Sequence, residues 1–360
     1  MVLGSGHHAS RKTRCYQPAV RRGKRAPRRK AQDMSAPVPV IDIRPLVEHG
    51  DVDAVAPAID AACRDTGFFL VTGHGVDPAL VERLDILARE FFARPEPDKA
   101  RIAMEYAARA WRGWFPVGGE LTSGRPDRKE GIYFGTELGP DDPRVRAGTP
   151  LHGPNLFPDE PRGLRTTVLE YLDAMTNLGH ALLRGFARAL DLDADWFERE
   201  LTSEPTVLFR IFHYPPAPDR SDPDEWGVAE HTDYGLLTIL LQDDTGGLQV
   251  HARDGWVDVT PERGTFVCNL GDMLERMTAG RYRSTPHRVR NTTDRSRLSF
   301  PFFFDPGWDA RVQPVPTRGP STPGAPRWDG ADPLAFEGTY GEYLLGKVSK
   351  VFPSLGGGGL

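Results

Sequence analysis

From residue 207 onward the chain is a succession of short apolar runs broken by Gly, Pro or Asp. The segments 207–214 (VLFRIFHY), 235–242 (GLLTILLQ), 247–252 (GLQVHA), 255–260 (GWVDVT), 265–270 (TFVCNL), 284–291 (STPHRVRN) and 297–304 (RLSFPFFF) predict strands. Their period-two alternation and their β-branched and aromatic content suit a pleated, half-buried surface. Upstream the rhythm differs. VPVIDI at 38–43 predicts a short strand, 55–65 a helix, 68–72 a strand ending in the turn Gly73-His74-Gly75, and 79–92 an amphipathic helix. Residues 112–161 are dense in Gly and Pro and predict a long ordered loop. The longest helix is expected over 166–190, as a support for a sheet, and the last over 339–351. Many short strands at this spacing imply a sandwich or barrel. The expected fold is mainly β with flanking α, a double-stranded β-helix (jelly roll) with a helical N-terminal region. Four stretches follow: a disordered basic tail at 1–33, a supporting N-terminal region at 34–205, the jelly-roll core at 206–310, and a C-terminal loop and helix at 311–360.

Composition narrows the function. A hydrophobic fraction of 39% and a charged fraction of 26% are ordinary for a globular protein. Residues 1–33 hold ten Lys or Arg against the single acid Asp33, about +9; the whole chain is −5, which leaves about −14 for the rest. An acidic body speaks against a nucleic-acid enzyme, because phosphate backbones require a basic surface. The tail lacks apolar periodicity, and Met34 opens a stretch that reads like a natural beginning. Cys15, Cys63 and Cys268 lie far apart with no CxxC, which fits a reduced cytoplasmic setting. No apolar run approaches the roughly 18 residues that span a bilayer.

The chemistry concentrates around two histidines and an aspartate. In His231-Thr232-Asp233, the first and third side chains share one face of an extended chain. His287, in a β-like segment 54 residues after Asp233, offers a third donor. Two imidazoles and one carboxylate on one face match the facial triad that holds Fe(II) and leaves three coordination positions open. Zinc accepts the same donors but has no redox chemistry. Ten residues past His287, Arg297 and Ser299 share a face and would point into the same cavity. A buried guanidinium without an acid partner in sequence expects an anionic ligand, gripped as a bidentate fork, with the hydroxyl as a further donor.

Together these motifs resemble the 2-oxoglutarate/Fe(II)-dependent dioxygenases of the isopenicillin N synthase-like superfamily. The resemblance spans about residues 37–355: VPVIDI, GFFLVTGHGV and the helix ending in Phe91-Phe92, then His231-Thr232-Asp233, Ser284-Thr285-Pro286-His287-Arg288-Val289 and Arg297-Leu298-Ser299-Phe300, in order. It implies that His231, Asp233 and His287 bind Fe(II), and that Arg297 and Ser299 hold the distal carboxylate of 2-oxoglutarate with help from Tyr214. It further implies that O2 is consumed, and that a small organic substrate is hydroxylated, desaturated or cyclised with release of succinate and CO2. Many plant members carry Asn where this chain has Phe212. Bacterial relatives, the ethylene-forming enzyme among them, resemble the loop around Gly118-Gly119-Glu120-Leu121-Thr122, which makes Glu120 a candidate for the substrate site. Phe303 matches a position that faces substrate.

The remaining histidines are expected to be mostly structural. His74 belongs to a turn and His180 to a helix, packed or solvated; His152 and His213 are candidate substrate contacts. Gly271-Asp272 is expected to start a helix, with the Asp side chain as its cap. Alternatives to the main reading are a same-fold iron oxidase that does not use 2-oxoglutarate, ethylene-forming activity, or a non-catalytic ligand-binding jelly roll. The expected partner is a small molecule, with no nucleic acid on the folded part and no membrane.

Overall fold

A computed structural model describes residues 1, 38–122, 124–217, 226–316 and 336–351. The fold concerns the unit Ser35–Leu360; the expectations for the tail at 1–33 and for a start at Met34 lie outside the described residues.

The strands, in chain order, are β1 (Val40–Asp42), β2 (Phe68–Thr72), β3 (Gly113–Phe115), β4 (Leu121–Thr122), β5 (Arg125–Pro126), β6 (Glu130–Gly135), β7 (Thr206–Tyr214), β8 (Val228–His231), β9 (Leu237–Gln242), β10 (Leu248–Ala252), β11 (Gly255–Asp258), β12 (Phe266–Leu270), β13 (His287–Val289) and β14 (Arg297–Asp305). The helices are α1 (Arg44–His49), α2 (Val52–Asp65), α3 (Pro78–Phe92), α4 (Glu96–Lys99), α5 (Pro143–Arg146), α6 (Leu164–Ala189), α7 (Trp196–Glu200), α8 (Asp272–Met277) and α9 (Tyr340–Val351). From β7 on, the chain passes back and forth between two sheets. Strands β12-β9-β14-β7 form the middle of the larger sheet, and β11-β10-β13-β8 form the smaller one. Neighbours within both sets are antiparallel. This interleaving is the jelly roll.

The N-terminal region does more than cradle that core. β2 and β1 extend the larger sheet beyond β12, and β6 and β3 extend it beyond β7. The stretch 112–161, expected as loop, therefore contributes two sheet strands and a small β4–β5 hairpin. The glycines that disguised β6 are there for fit. A Cβ on Gly131 would come within 2.7 Å of the Phe212 ring, so the strand interior must be bare for β6 to lie against β7.

Register divides β7 and β14 into two faces. Arg297, Ser299, Phe303 and Asp305 of β14 stand opposite Tyr214, Phe212, Leu208 and Thr206 of β7, and Phe303 also stands opposite Thr238 of β9. This set looks into the space between the sheets. The alternate set faces the helices: Phe209 meets Tyr171 of α6 at 5.0 Å, and His213 stacks on Phe92 of α3 at 5.1 Å. α6, 26 residues long, buries an apolar stripe and serves as the expected support. The start of α8 differs from expectation. Gly271, not Asp272, is the N-cap, and Asp272 is the first residue of the helix. The amides of Asp272 and Met273 donate instead to the carbonyls of Asp233 and Tyr234, at 2.7 and 3.1 Å. A neighbouring turn thus satisfies the first-turn N–H groups that a side chain would otherwise meet.

Candidate active site

β8 ends at His231, β9 begins at Leu237, and the tight passage between them carries Asp233; His287 opens β13, directly opposite His231 across the smaller sheet. One donor atom from each of His231, Asp233 and His287 lies within 4.8 Å of the others. His231 Nε2 and His287 Nε2 are 3.8 and 3.7 Å from Asp233 Oδ1, and the imidazole centroids are 4.2 Å apart.

The atoms behind these donors fix their states. His231 Nδ1 donates to the Ala229 carbonyl at 2.8 Å and His287 Nδ1 to the Thr285 carbonyl at 3.2 Å. Each ring proton is therefore on Nδ1, and both Nε2 lone pairs face the centre. Asp233 Oδ2 accepts from Thr238 Oγ1 at 2.6 Å and from Asn269 Nδ2 at 2.7 Å, which turns Oδ1 toward the imidazoles. Burial alone would raise the Asp233 carboxyl; the two imidazoles and these two bonds outweigh it and hold it below the usual carboxylate range. Burial, reinforced by His231, pushes His287 down to about 4. The site thus offers two imidazole nitrogens and one carboxylate oxygen, a donor set that fits a divalent transition metal.

Deeper between the sheets lies Arg297, 0% exposed. Its Nε donates to the Gly246 carbonyl at 2.5 Å, and its guanidinium lies 4.7 Å from the centre of the Tyr214 ring. Nη1 and Nη2 have no hydrogen-bond partner among the described residues. Tyr214 Oη and Ser299 Oγ are 3.3 Å apart beside it. A buried cation with two bare donor groups is costly unless an anion meets it, so the site fits the far carboxylate of a dicarboxylate cosubstrate. Phe212 presents its ring to Lys129 Nζ at 4.7 Å.

Glu120 lies in a buried charge cluster. Its carboxylate is 2.8 Å from Lys129 Nζ and accepts from Tyr133 Oη at 2.5 Å, and Lys129 also pairs closely with Asp127. Arg210 stacks on Tyr133 at 3.4 Å. Burial raises the Tyr234 hydroxyl, and Glu120 and Asp233 push it further. Phe303 is on the inner face, 5.9 Å from the Arg210 guanidinium.

The other histidines fall elsewhere. His213 points away from the inner face, its Nδ1 2.9 Å from Glu130, so it is no substrate contact; alternation along β7 gives Tyr214 the inner side. His152 lies edge-on to Trp308 and lines a separate cavity of about 520 Å³ with Arg144 and Glu204. His74 bonds the Gly264 carbonyl, and His180 packs against Phe304. Sequence reasoning passed over Thr238, Asn269 and Lys129. The first two had a signal: each is the polar interruption of an apolar strand, on the inner side of the alternation.

Comparison with known proteins decides the family. Residues 205–306 match the 2OG-Fe(II) oxygenase superfamily, and residues 38–160 match the domain described as non-haem dioxygenase in morphine synthesis N-terminal. The chain belongs to the 2OG-Fe(II) oxygenase superfamily. It is 46% identical to a probable iron/ascorbate oxidoreductase of Dictyostelium discoideum, over 88% of this chain and 95% of that one. It is 35% identical to the 1-aminocyclopropane-1-carboxylate oxidase of the same organism, over 88% and 95%, and 35% identical to homoarginine-6-hydroxylase 2-ODD-C23.1 of Arabidopsis thaliana, over 88% and 97%. The crystal structure of Neurospora crassa T7H with alpha-KG superposes with a TM-score of 0.71 at 26% identity, over 87% of this chain and 96% of that one. This superfamily member is an oxidoreductase, an Fe(II)- and 2-oxoglutarate-dependent dioxygenase acting on a small molecule. Among the described residues no helix is long and apolar enough to cross a membrane.

Proposed function

We propose that His231, Asp233 and His287 hold the iron of this oxygenase, that Arg297 with Ser299 and Tyr214 seats the far carboxylate of 2-oxoglutarate, and that Glu120 and Phe303 border the substrate. The observation that carries the reading is the fully buried Arg297, with two bare Nη groups on the same inner face as Thr238, which braces Asp233. Bound together, iron and 2-oxoglutarate supply the oxidising power, with succinate and CO2 as by-products. The protein's own task is placement. The carbonyl-bound imidazoles and the doubly bonded carboxylate are set before any ligand arrives. Arg297 fixes which end of the dicarboxylate points inward, and Phe212 and Phe303 help keep water out.

The substrate class we favour is an amino acid. Glu120, Asp127, Lys129 and Arg210 form a buried cluster of both charges beside Phe212 and Phe303, surroundings suited to a zwitterion. Two of the relatives above are named for amino acids, 1-aminocyclopropane-1-carboxylate and homoarginine. The acidic body supports a reaction away from nucleic acid, and cytoplasmic residence is part of the same reading.

The test is an amino-acid panel incubated with Fe(II), 2-oxoglutarate and O2, scored for succinate, with Asp233→Ala as the blank. Succinate equimolar with oxidised product supports the assignment. Product without succinate would instead indicate an iron oxidase that spares 2-oxoglutarate. Succinate release by the Asp233→Ala protein equal to the parent's would remove the triad from the reaction.

A further inference from the structure

The turn that carries Asp233 is held from both sides. On one side the start of α8 grips it: Asp272 N donates to Asp233 O at 2.7 Å, Met273 N to Tyr234 O at 3.1 Å, and Gly271 N to Leu236 O at 3.2 Å. On the other side is the buried carboxyl of Asp305, at the end of β14. Its Oδ1 accepts from the Leu236 amide at 2.9 Å, and its Oδ2 accepts from Tyr340 Oη at 2.6 Å. The contact is tight enough to dictate sequence: a Cβ on Gly235 would fall 1.5 Å from Asp305 Oδ1, and one on Gly271 would fall 2.3 Å from the Gly235 carbonyl. Tyr340 is the first residue of α9 and is fully buried. The same helix returns to the turn through Lys347, whose Nζ is 3.5 Å from Asp272 Oδ2 and 5.3 Å from the Tyr234 ring. It also touches β4, the strand that follows Glu120.

We infer that Asp305 and Tyr340 are positioning residues for the metal carboxylate, so that the docking of α9 sets how firmly Asp233 is presented. The inference rests on reading His231, Asp233 and His287 as the ligands. The chain of contacts is short and directional. Tyr340 orients Asp305, Asp305 holds the Leu236 amide, and the Gly235–Leu236 backbone fixes the exit of the turn whose entry bears Asp233. No ion pair accounts for a carboxyl buried at this point, since Asp305 meets no cation within ion-pair distance among the described residues. A purely structural tie would act on folding alone. A positioning tie must also act on metal affinity, because the ligand oxygen loses its fixed place when the turn loosens.

The experiment is calorimetric titration of chelator-stripped full-length protein with Co(II) under nitrogen, paired with hydrogen exchange at Leu236. Tyr340→Phe keeps the ring and removes the hydroxyl. It should weaken Co(II) binding about tenfold, the low end of what removing an outer-shell partner does, and should speed exchange of the Leu236 amide. Asp305→Asn keeps an acceptor for Leu236 and offers an NH2 to the tyrosine oxygen, so it should stay within about threefold of the parent; Asp305→Ala should be at least as weak as Tyr340→Phe. If Tyr340→Phe binds Co(II) like the parent and leaves Leu236 exchange unchanged, the inference is overturned, whatever happens to the melting temperature. Asp233→Ala in the same titration separates the two ideas: undiminished Co(II) binding there would sink the ligand assignment itself.

Discussion

Replacing Arg297 with Met tests the cosubstrate pocket most directly, because two opposite outcomes are set by the same geometry. With 2-oxoglutarate seated as proposed, the substitution removes two charge-assisted hydrogen bonds from Nη1 and Nη2. At about 1.5–3 kcal/mol each, the loss is at least about 3 kcal/mol, or roughly a hundredfold in Kd at about 1.4 kcal/mol per tenfold. For the apo-protein the terms oppose one another. Losing the Nε bond leaves the Gly246 carbonyl unmet, about 1–3 kcal/mol, and losing the cation over Tyr214 forfeits about 0.5–2 kcal/mol. Against this, a fully buried guanidinium with two bare donor groups no longer has to be kept from water, a penalty of several kcal/mol per ion. The apo melting temperature should therefore move by no more than about 4 °C, since at about 2.1 cal/mol/K per residue 1 kcal/mol corresponds to roughly 1–2 °C in a chain of this size. Anaerobic titration of the Fe(II)-loaded protein with 2-oxoglutarate, read in the visible absorbance, measures the first quantity, and thermal unfolding of the stripped protein the second. A guanidinium serving only as a structural partner would give the reverse pattern. Unfolding lowered by ten degrees or more, with unchanged affinity for 2-oxoglutarate, would refute the reasoning.

Three further outcomes follow from the same contacts. Lys129→Met leaves Glu120 and Asp127 buried without their shared cation and should destabilise the fold by about 3–5 kcal/mol, read as a lower denaturant midpoint at unchanged slope; a midpoint equal to the parent's would show that the cluster is not a buried ion network. Asn269→Leu removes a donor from Asp233 Oδ2 and should weaken metal binding about 10–100-fold by calorimetry, whereas binding within twofold of the parent would mean that Thr238 alone braces the ligand. Burial pushes the Asp305 carboxyl up to about 7, against the opposing pull of its bonds from Tyr340 and Leu236. The folded state then keeps a proton that the unfolded chain releases near pH 4. This group's contribution is complete below that pH, falls as the pH rises, and is gone above about 7; three pKa units correspond to at most about 4 kcal/mol. The stability advantage of Asp305→Asn over the parent should therefore grow between pH 4.5 and 8, and a constant difference across that range would contradict the shift.

How much of the site could be read in the chain depends on the range of the forces that made it. His231 and Asp233 lie two residues apart at a strand end, and Arg297 and Ser299 share a face of β14 by local alternation, so each pairing was legible without coordinates. Joining His287 to them required the family pattern, because only the β13–β8 register brings it opposite His231. Strands β3 and β6 were illegible for the complementary reason. Their Gly and Pro content reads as loop, and only the long-range match of Gly131 to the bulk of Phe212 makes a strand the better choice. The Asp272 cap failed likewise: local propensity favoured its side chain, yet the Asp233 turn was already present to take the helix amides. Both misses, and Asp305 with them, have one physical origin. A residue whose partner arrives from a distant strand carries no local periodicity. In this fold those residues crowd around the turn that bears Asp233, since the jelly roll gathers strands from about a hundred residues of chain onto that one loop. The polar residue that interrupts an apolar strand on its inner side is therefore the informative sequence signal here: Thr238 and Asn269 both satisfy it, and both reach Asp233.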